Sequence, residues 1–474
     1  MKSRDTLIFI FCVLATLGVI SARFPEAGVA LGNSRLYFPT IDDMINGDDR
    51  SSSVFQRLQA LEEELRFQRY RDSLYTDSLS IYTKFFEESP TRISVPDNNW
   101  DFFNDLFADL DSCRKRGEII RILHYGDSQI ESDRITGYIR QRLQEKFGGN
   151  GPGLLPAVQP IPSYTVGQSA SENIERYIVS GMHQNRASHR RYGVLGQFAT
   201  INGGGSILVT TQNRKTIYEN VREFQTIRLF TGRNKNFKAQ LISAGKEPVK
   251  ETITDDNSPV KVFIWNLPAP VNKFSLRLSG SNEIYAIAAD GTSGVAVDNI
   301  PFRGSSGTFF SILDSTVMIP MLKQLNVRLI LLEFGGNTVP VIRDKKAIES
   351  YSKKMSEQIA YLRKIYPEAK IMMIGPADMS TKVAGRLSTY PNLEALIEAM
   401  KAAALQNGAA FWDMFEVMGG RNSMIEWVRH SPALAAPDYV HFTAKGTDRI
   451  ADLFCESLMV YYDYYRFVTE NKGK

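Results

Sequence analysis

The sequence predicts a three-layer α/β/α domain built on a parallel sheet, with a β-sandwich domain inserted into it. Near-continuous apolar strands alternate with amphipathic helices in two separate parts of the chain, which is typical of a parallel sheet covered on both faces. Between those parts, short apolar runs are separated by turns and show no helical period, as in a β-sandwich. Because the first strand precedes this stretch and the others follow it, the β domain is inserted rather than appended.

An export segment is predicted at residues 1–22. Lys2 and Arg4 precede the apolar run Leu7–Ile20, and small residues follow it. The run is shorter than the ~20 residues that a spanning helix usually needs, which favours a signal peptide. No Ala-x-Ala motif closes the run, so the alternative is an uncleaved anchor that associates the protein with a membrane. Both interpretations place the rest of the chain outside the cytoplasm, in the periplasm or cell envelope.

A helical spacer is predicted over residues 23–95, because apolar positions recur among many charged ones between residues 52 and 88. The spacer is either solvated or laid on the main domain. Residues 96–162 then supply the first part of the α/β domain, with a helix, the buried strand Glu118–Tyr125 and a second helix over about 135–147.

The inserted β domain is predicted over residues 163–290 and the second part of the α/β domain over 291–474. The insertion carries short strands, and the second part carries longer alternating elements. The predicted strands of the insertion are 206–210, 226–230, 260–265 and 274–278; after it come strands 328–334, 370–374 and 410–413 and helices 348–362, 393–405 and from about 443 onward.

Charge and cysteine content exclude several functional classes. Lys and Arg total 56 and Asp and Glu total 52, a net charge of +4, which is too small to indicate nucleic-acid binding. Of three cysteines, Cys12 lies in the export segment, so one disulfide between Cys113 and Cys455 is the maximum, and free buried thiols are favoured. No metal-ligand spacing occurs, and we expect neither a metal nor a cofactor.

A candidate nucleophile follows the first strand, in Gly126-Asp127-Ser128. Serine at the carboxyl end of a parallel strand lies where ligands of such sheets bind, and its N–H can face a developing oxyanion. An ordinary turn that caps a helix is the alternative, because Gly-Asp-Ser is good turn chemistry.

A candidate base and its orienting acid precede the last helix, at His441 and Asp438. His441 Nε2 would take the serine proton, and Asp438 would accept from Nδ1. A loop histidine that caps the helix is the alternative. The four other histidines are weaker candidates: His124 reads as a packed core residue, His430 as a loop residue, and His183 and His189 fall in the insertion.

Two glycine-rich loops could supply hydrogen bonds to an oxyanion, and an ordinary loop is the alternative for the one that carries Asn337. Asn337 follows two glycines after the next central strand, and its side-chain amide is a suitable donor. Gly304 lies where the chain returns from the insertion, and its N–H is a further candidate.

In this order, Ser128, Gly304, Asn337 and the Asp438/His441 pair resemble the blocks of the SGNH (GDSL-like) hydrolase superfamily over residues 118–155 and 300–463. The resemblance implies a flavodoxin-like sheet, a catalytic triad of Ser128, Asp438 and His441, and an oxyanion hole formed by Ser128, Gly304 and Asn337. Gln129 departs from the Leu or His of many members, and the Gly304 block is loosely defined.

The layout also resembles bacterial peptidoglycan O-acetylesterases, which carry an inserted β domain like a carbohydrate-binding module. The glycine-rich segment 146–156 looks like the loop after their first helix. This implies an exported esterase that removes O-acetyl groups from peptidoglycan or another polysaccharide. The alternative is an O-acetyltransferase that acts on a cell-envelope glycan with a membrane acyltransferase partner, and a binding protein with a dead site is a third. Trp265 and Trp412 are candidate sugar platforms, with core packing favoured for both.

Overall fold

The computed structural model describes most of the chain beyond residue 77. The described residues are 29–31, 34–36, 78–181, 184–212, 218–243, 249–252 and 256–471. The predicted export segment, most of the predicted spacer, Cys12 and His183 lie outside the described residues. Two short strands, β1 (Val29–Leu31) and β2 (Ser34–Leu36), pair with each other in antiparallel fashion.

A parallel sheet forms the centre of the α/β domain. Its strands are β3 (Ile93–Ser94), β4 (Ile119–Gly126), β14 (Gly294–Pro301), β15 (Val327–Glu333), β16 (Lys370–Ile374) and β19 (Ala410–Trp412). The order across the sheet is β14–β4–β15–β16–β19–β3, and only the edge strand β3 is antiparallel to its neighbour. The predicted α/β class is therefore confirmed, with β4 and β15 side by side near the middle.

Successive residues of these strands enter two different apolar cores, because side chains alternate between the faces of a sheet. On β15, Leu329 and Leu331 join one core, whereas Ile330 and Leu332 join the other. Helices α2 (Asn104–Arg116), α3 (Arg134–Phe147) and α9 (Ala444–Asn471) cover the first face; α4 (Ser315–Leu325), α5 (Lys345–Ile365) and α6 (Leu393–Gln406) cover the second. Strands buried on both sides explain the continuous apolar runs in the sequence.

The last part of the predicted spacer packs on the α/β domain. Helix α1 (Ser78–Glu88) buries Tyr82, Phe85 and Phe86, and the Phe86 ring lies 4.5 Å from the Tyr461 ring of α9. Strand β3 then joins the edge of the parallel sheet through β19. The sequence left two alternatives for the spacer, a solvated segment or one that packs on the main domain. Residues 78–95 pack on the main domain.

An antiparallel β domain lies between β4 and β14 in the chain. Its strands are β5 (Gly153–Leu155), β6 (Val166–Ala170), β7 (Glu175–Ile178), β8 (Gln197–Asn202), β9 (Gly205–Thr211), β10 (Phe224–Ser243), β11 (Val249–Thr252), β12 (Lys261–Val271) and β13 (Lys273–Asp290). The long strands β10 and β13 pair with each other along most of their length and also pair with most of the others. Their apolar faces enclose a separate core. The insertion predicted from the order of the strands is thus confirmed.

A buried charge cluster joins the two sheets. Arg121 of β4 donates to Asp298 of β14 at 2.6 Å and to Asp290, the last residue of β13, at 2.5 Å. All three side chains are almost completely inaccessible to solvent. The strand that leaves the β domain is therefore attached to the strand that carries the candidate nucleophile.

The remaining described elements are short. They are the hairpin β17 (Ser380–Val383) and β18 (Arg386–Thr389), and helices α7 (Met414–Val417) and α8 (Ser423–Arg429). Cys113 and Cys455 are both buried and form no disulfide bond with each other, as favoured from the sequence. In the described part of the chain, no helix combines the length and the apolar character needed to cross a bilayer.

Candidate active site

Ser128 lies in a tight turn at the carboxyl end of β4. A 3₁₀ turn, Glu131–Asp133, separates it from α3, which begins at Arg134. The predicted order of strand, serine and helix holds, but the helix begins six residues after Ser128 rather than directly behind it. Ser132 and Asp133 adopt left-handed backbone angles, with φ of 64° and 68°. Arg134 donates to the carbonyls of Ser128 and Glu131, so its side chain holds the turn closed.

Asp438 organises the loop that carries His441. Its Oδ1 accepts hydrogen bonds from the backbone N–H groups of Val440 and His441, both at 3.0 Å. Tyr439 adopts a left-handed φ of 58°, which turns the chain sharply between the acid and the histidine. The Ser380 N–H of strand β17 donates to the Tyr439 carbonyl at 3.1 Å. Local hydrogen bonds therefore fix the positions of both side chains.

Ser128, His441 and Asp438 form one hydrogen-bonded chain. The Ser128 Oγ lies 3.0 Å from His441 Nε2, and His441 Nδ1 lies 2.7 Å from Asp438 Oδ2. In the neutral imidazole, Nδ1–H donates to the carboxylate and Nε2 accepts from the hydroxyl, the arrangement that a general base requires. Burial opposes the charge on Asp438, but hydrogen bonds from His441 and Val440 outweigh it and lower the pKa of Asp438 to about 2.

Gln129 connects the nucleophile turn to the histidine loop. Its Nε2 donates to the Val440 carbonyl at 2.6 Å, across 311 residues of sequence. Gln129 is the position at which the sequence departs from the family pattern. Its hydrogen bond joins the residue after Ser128 to the residue before His441. Its Oε1 is buried and has no hydrogen-bond partner among the described residues.

Asn337 lies beside Ser128, at the end of the adjacent strand β15. Gly335 precedes it with φ of +119°, and a Cβ there would approach Met400 and Pro376 to about 3.1 and 3.2 Å, so glycine is needed. The Asn337 Nδ2 donates to Asp127 Oδ2 at 2.9 Å and to the Ser305 carbonyl at 3.2 Å. Both amide hydrogens therefore have protein acceptors, and an oxyanion would share or replace one of them.

Gly304 is not among the residues that line the cavity beside Ser128. It is exposed, has φ of +73°, and a Cβ there would meet no atom within 4 Å. The structure brings its neighbour Ser305 to the site instead, through the carbonyl bonded to Asn337. Among the predicted site residues, Ser128, His441, Asp438 and Asn337 thus come together, and Gly304 lies at the margin.

Asp127 is a member of the site that sequence reasoning did not single out. It is 4% exposed, accepts from the Gln129 N–H at 3.0 Å and holds the Asn337 amide. Burial raises the pKa of Asp127 to about 7, and the negative charge of Glu333 adds to the effect. The sequence did contain a signal for Asp127. An aspartate between a buried strand and a candidate nucleophile is expected to be buried and to lie near the end of the neighbouring strand.

Glu333 is the second residue that was missed. It follows the apolar run 329–332 at the end of strand β15 and is 4% exposed. Its Oε2 lies 3.1 Å from His124 Nε2, and His124 Nδ1 lies 3.0 Å from the Thr136 hydroxyl. His124 is therefore the packed core histidine that the sequence indicated. A glutamate in a strand buried on both faces is rarely found without a partner, which is a usable signal for such a pair.

A cavity of about 220 Å³ opens beside these residues. Its polar lining comes from Asp127, Ser128, Gln129, Glu333, Asn337 and His441, and its apolar lining includes Phe334, Pro340, Pro376, Ala377, Met379, Tyr390, Met414 and Val440. His189 pairs with Glu283 in the β domain and His430 contacts the Pro432 carbonyl, so neither lines this cavity. Trp265 and Trp412 are both buried, as core packing requires.

Sequence comparison identifies a family over part of the chain. Residues 280–449 match the GDSL-like lipase/acylhydrolase family. The match contains Asn337, Asp438 and His441, and the fold brings Ser128 to them from outside it. No curated protein matches the chain.

Solved structures include a similar fold over most of the chain. A peptidoglycan O-acetylesterase is 21% identical, with a TM-score of 0.61, over 77% of this chain and 96% of that one. A family two carbohydrate esterase from Cellvibrio japonicus is 10% identical over 63% of this chain and 99% of that one, with a TM-score of 0.24. An acetyl xylan esterase is 15% identical over 34% and 79%, with a TM-score of 0.26. Only the first similarity is close enough to describe the fold.

Proposed function

We propose that this chain, a carboxylic ester hydrolase with a GDSL-like lipase/acylhydrolase domain, removes O-acetyl groups from a polysaccharide through an acyl-enzyme on Ser128. The observation that carries the proposal is the hydrogen-bonded chain from Ser128 through His441 to Asp438, at 3.0 and 2.7 Å. A hydroxyl, an imidazole and a carboxylate in this order are the equipment of serine acyl transfer.

The reaction follows from the positions of these groups. Ser128 Oγ attacks the ester carbonyl while His441 Nε2 takes the hydroxyl proton, and Asp438 stabilises the imidazolium that forms. As the tetrahedral intermediate collapses, His441 returns that proton to the departing sugar oxygen, and the acetyl group stays on Ser128. His441 then deprotonates water for attack on the acyl-enzyme, which releases acetate and restores the Ser128 hydroxyl.

Charge on the carbonyl oxygen requires hydrogen-bond donors beside Ser128. The Ser128 N–H, the Asn337 side-chain amide and the Gly304 N–H are the proposed donors. The Ser305 carbonyl bonded to Asn337 attaches the Gly304 loop to the site. Because Asp127 holds the same amide, the donor has a fixed orientation before a substrate arrives.

A glycan substrate is supported by the fold and by the size of the cavity. The similar fold of a peptidoglycan O-acetylesterase extends over 77% of this chain. A cavity of about 220 Å³ with both polar and apolar lining residues suits a short acyl group and part of a sugar, and it is small for a long apolar chain. Action on peptidoglycan or another envelope glycan would require export, which the predicted N-terminal segment could provide.

The proposal also keeps the division of the chain made from the sequence. Residues 96–162 and 291–474 form the hydrolase domain and 163–290 the insertion, although β5 also joins the antiparallel sheet. Residues 1–22 act as signal or anchor, and 23–95 as the segment between it and the hydrolase domain.

Acetate release from O-acetylated peptidoglycan and from acetylated xylan, measured side by side, tests the proposed function. We expect release from at least one of these glycans by the purified chain and none by the Ser128→Ala variant. Turnover of an aryl acetate without release from either glycan would leave an esterase and reject the polysaccharide substrate.

A further inference from the structure

Two side chains that line the cavity beside Ser128 each keep a buried oxygen without a hydrogen-bond donor among the described residues. Glu333 lines the cavity and is 4% exposed, and its Oε1 has no partner among the described residues. Gln129 lines the same cavity, and its Oε1 is also without a partner there. Burying such an oxygen without a donor is unfavourable, so a site that keeps two of them is suited to a ligand that supplies donors.

The neighbouring polar groups already have hydrogen-bond partners. They therefore limit which donors and acceptors remain for a ligand. Asp127 accepts from the Gln129 N–H and from Asn337, and the second oxygen of Glu333 faces His124. The Gln129 amide nitrogen donates to the Val440 carbonyl. The unpartnered buried atoms on these cavity-lining side chains are therefore both acceptors, which complement O–H or N–H groups and not carbonyls or phosphates.

We propose that Glu333, together with the Gln129 side-chain oxygen, forms a subsite that binds hydroxyl groups of the alcohol part of the ester. An acetyl group has no donor hydrogen, so the donors must belong to the alcohol part. This inference rests on the proposed function, in which the alcohol part is a sugar. A sugar ester keeps several free hydroxyls next to the ester, whereas an aryl acetate keeps none. Glu333 is thus a specificity-determining residue of the cavity.

Neutral hydroxyl groups fit the subsite better than an ammonium group. One oxygen of Glu333 is engaged by His124, and burial raises the pKa of Asp127 to about 7. The two carboxyl groups that line the cavity therefore do not both carry a free negative charge throughout the neutral range. One acceptor on each of two side chains that line the same cavity as Ser128 suits a ligand with several hydroxyl groups, such as a sugar ring.

The test compares two esters on the same variants. For each protein, the selectivity is kcat/KM for 6-O-acetylglucose divided by kcat/KM for 4-nitrophenyl acetate. Glu333→Gln keeps a partner for His124 but replaces a charged acceptor with a neutral one. His124→Leu/Glu333→Leu removes both members of the pair, so that no polar group of the pair is left unpaired in the core. Glu456→Gln, in a buried carboxylate on α9 that pairs with Arg142 at 3.0 Å, is the matched control.

We expect the selectivity to fall about tenfold or more in the double variant, since a hydrogen bond to a charged group is worth ~1.5–3 kcal/mol. It should fall less in Glu333→Gln and stay at the wild-type value in the control. An unchanged selectivity in a folded double variant would overturn the subsite.

A second measurement separates this inference from the proposed function. Free glucose should inhibit 4-nitrophenyl acetate hydrolysis by the wild type, and the inhibition should weaken about tenfold in the double variant by the same hydrogen-bond argument. That result would support the subsite even if no glycan released acetate. Conversely, Ser128-dependent release from a glycan with identical glucose inhibition in all variants would keep the function and reject the subsite. Much stronger inhibition by glucosamine than by glucose, lost in Glu333→Gln, would replace hydroxyl recognition by ammonium recognition.

Discussion

The hydroxyl of Ser128 lies 3.0 Å from the Nε2 of His441, although 313 residues separate them in the chain. The contact is possible because β4 ends at the same edge of the parallel sheet as β15 and β16, and the loop before α9 returns to that edge. Since the antiparallel domain leaves from and returns to neighbouring strands, its insertion does not disturb this convergence.

Replacing Ser128 by alanine should remove the nucleophile and leave the fold intact. Among the described residues its hydroxyl makes a single side-chain hydrogen bond, to His441, and the substitution removes only one oxygen atom. We expect kcat on 4-nitrophenyl acetate to fall by ~10⁴ or more, as when a member of such a triad is lost. The measurement is steady-state kinetics, with an unchanged thermal midpoint as the control. Near-wild-type turnover would reject Ser128 as the nucleophile.

Replacing Asn337 by alanine should cost less than replacing Ser128. The loss of one oxyanion donor typically lowers kcat by ~10²–10³. Because Asn337 also occupies Asp127 and the Ser305 carbonyl, the variant leaves two acceptors without their donor and should unfold at lower temperature as well. Kinetics and thermal unfolding of the same preparation separate these effects. A loss of stability with unchanged kcat would make Asn337 a structural residue only.

Replacing Asp438 by asparagine tests the role of the orienting acid. The pKa of Asp438 is about 2, held down by the His441 and Val440 hydrogen bonds against the effect of burial, so this carboxylate stays charged across the working pH range. Its side chain is half exposed, and water can partly replace it. We therefore expect kcat to fall by ~10²–10⁴, at or below the loss seen for a buried triad aspartate. Full activity in the variant would exclude Asp438 from the relay.

Much of this site could be predicted from the sequence. The apolar runs ending at Gly126 and before Asn337 marked adjacent strand ends, and only the parallel sheet was needed to bring them together. The bond between Asp127 and Asn337 could not be predicted, because it depends on side-chain directions across two strand ends. The position of Gly304 at the margin of the site also could not be predicted. It depends on a left-handed turn that many glycine-containing loops can form.

Asp127 should make the stability of the fold depend on pH in an unusual direction. Burial raises the pKa of its carboxyl to about 7, whereas in the unfolded chain it is ~3.9. Between these values the folded state holds a proton that the unfolded state has lost, so the contribution to stability falls as pH rises from about 4 to 7 and is constant above.

The comparison with Asp127→Asn, which cannot titrate, isolates that contribution. The free energy of unfolding of the variant minus that of the wild type should increase with pH by up to ~1.4 kcal/mol per unit within this window and level off above it. Urea unfolding of both proteins at several pH values between 4 and 8 provides the curves. An unfavourable contact between the new amide and the Asn337 amide would change the difference in free energy of unfolding by the same amount at every pH. The change of that difference with pH therefore reports the titration of Asp127. Parallel curves would show that Asp127 titrates normally.

The cluster around Arg121 should be essential for attaching the β domain to the central sheet. Arg121 is fully buried and donates to Asp298 at 2.6 Å and to Asp290 at 2.5 Å. Arg121→Leu therefore leaves buried Asp298 without a cation, whereas Asp290 keeps Arg228 at 3.0 Å. Breaking a buried ion pair in this way typically costs ~3–5 kcal/mol, far more than the same change at the surface. Arg116 is a matched control, because it also contacts two carboxylates, Asp109 and Glu118, but is substantially exposed. Arg116→Leu should cost ~1 kcal/mol or less. The two free energies of unfolding, measured in urea under identical conditions, should therefore differ severalfold, and equal losses would mean that the buried cluster adds no more than a surface pair.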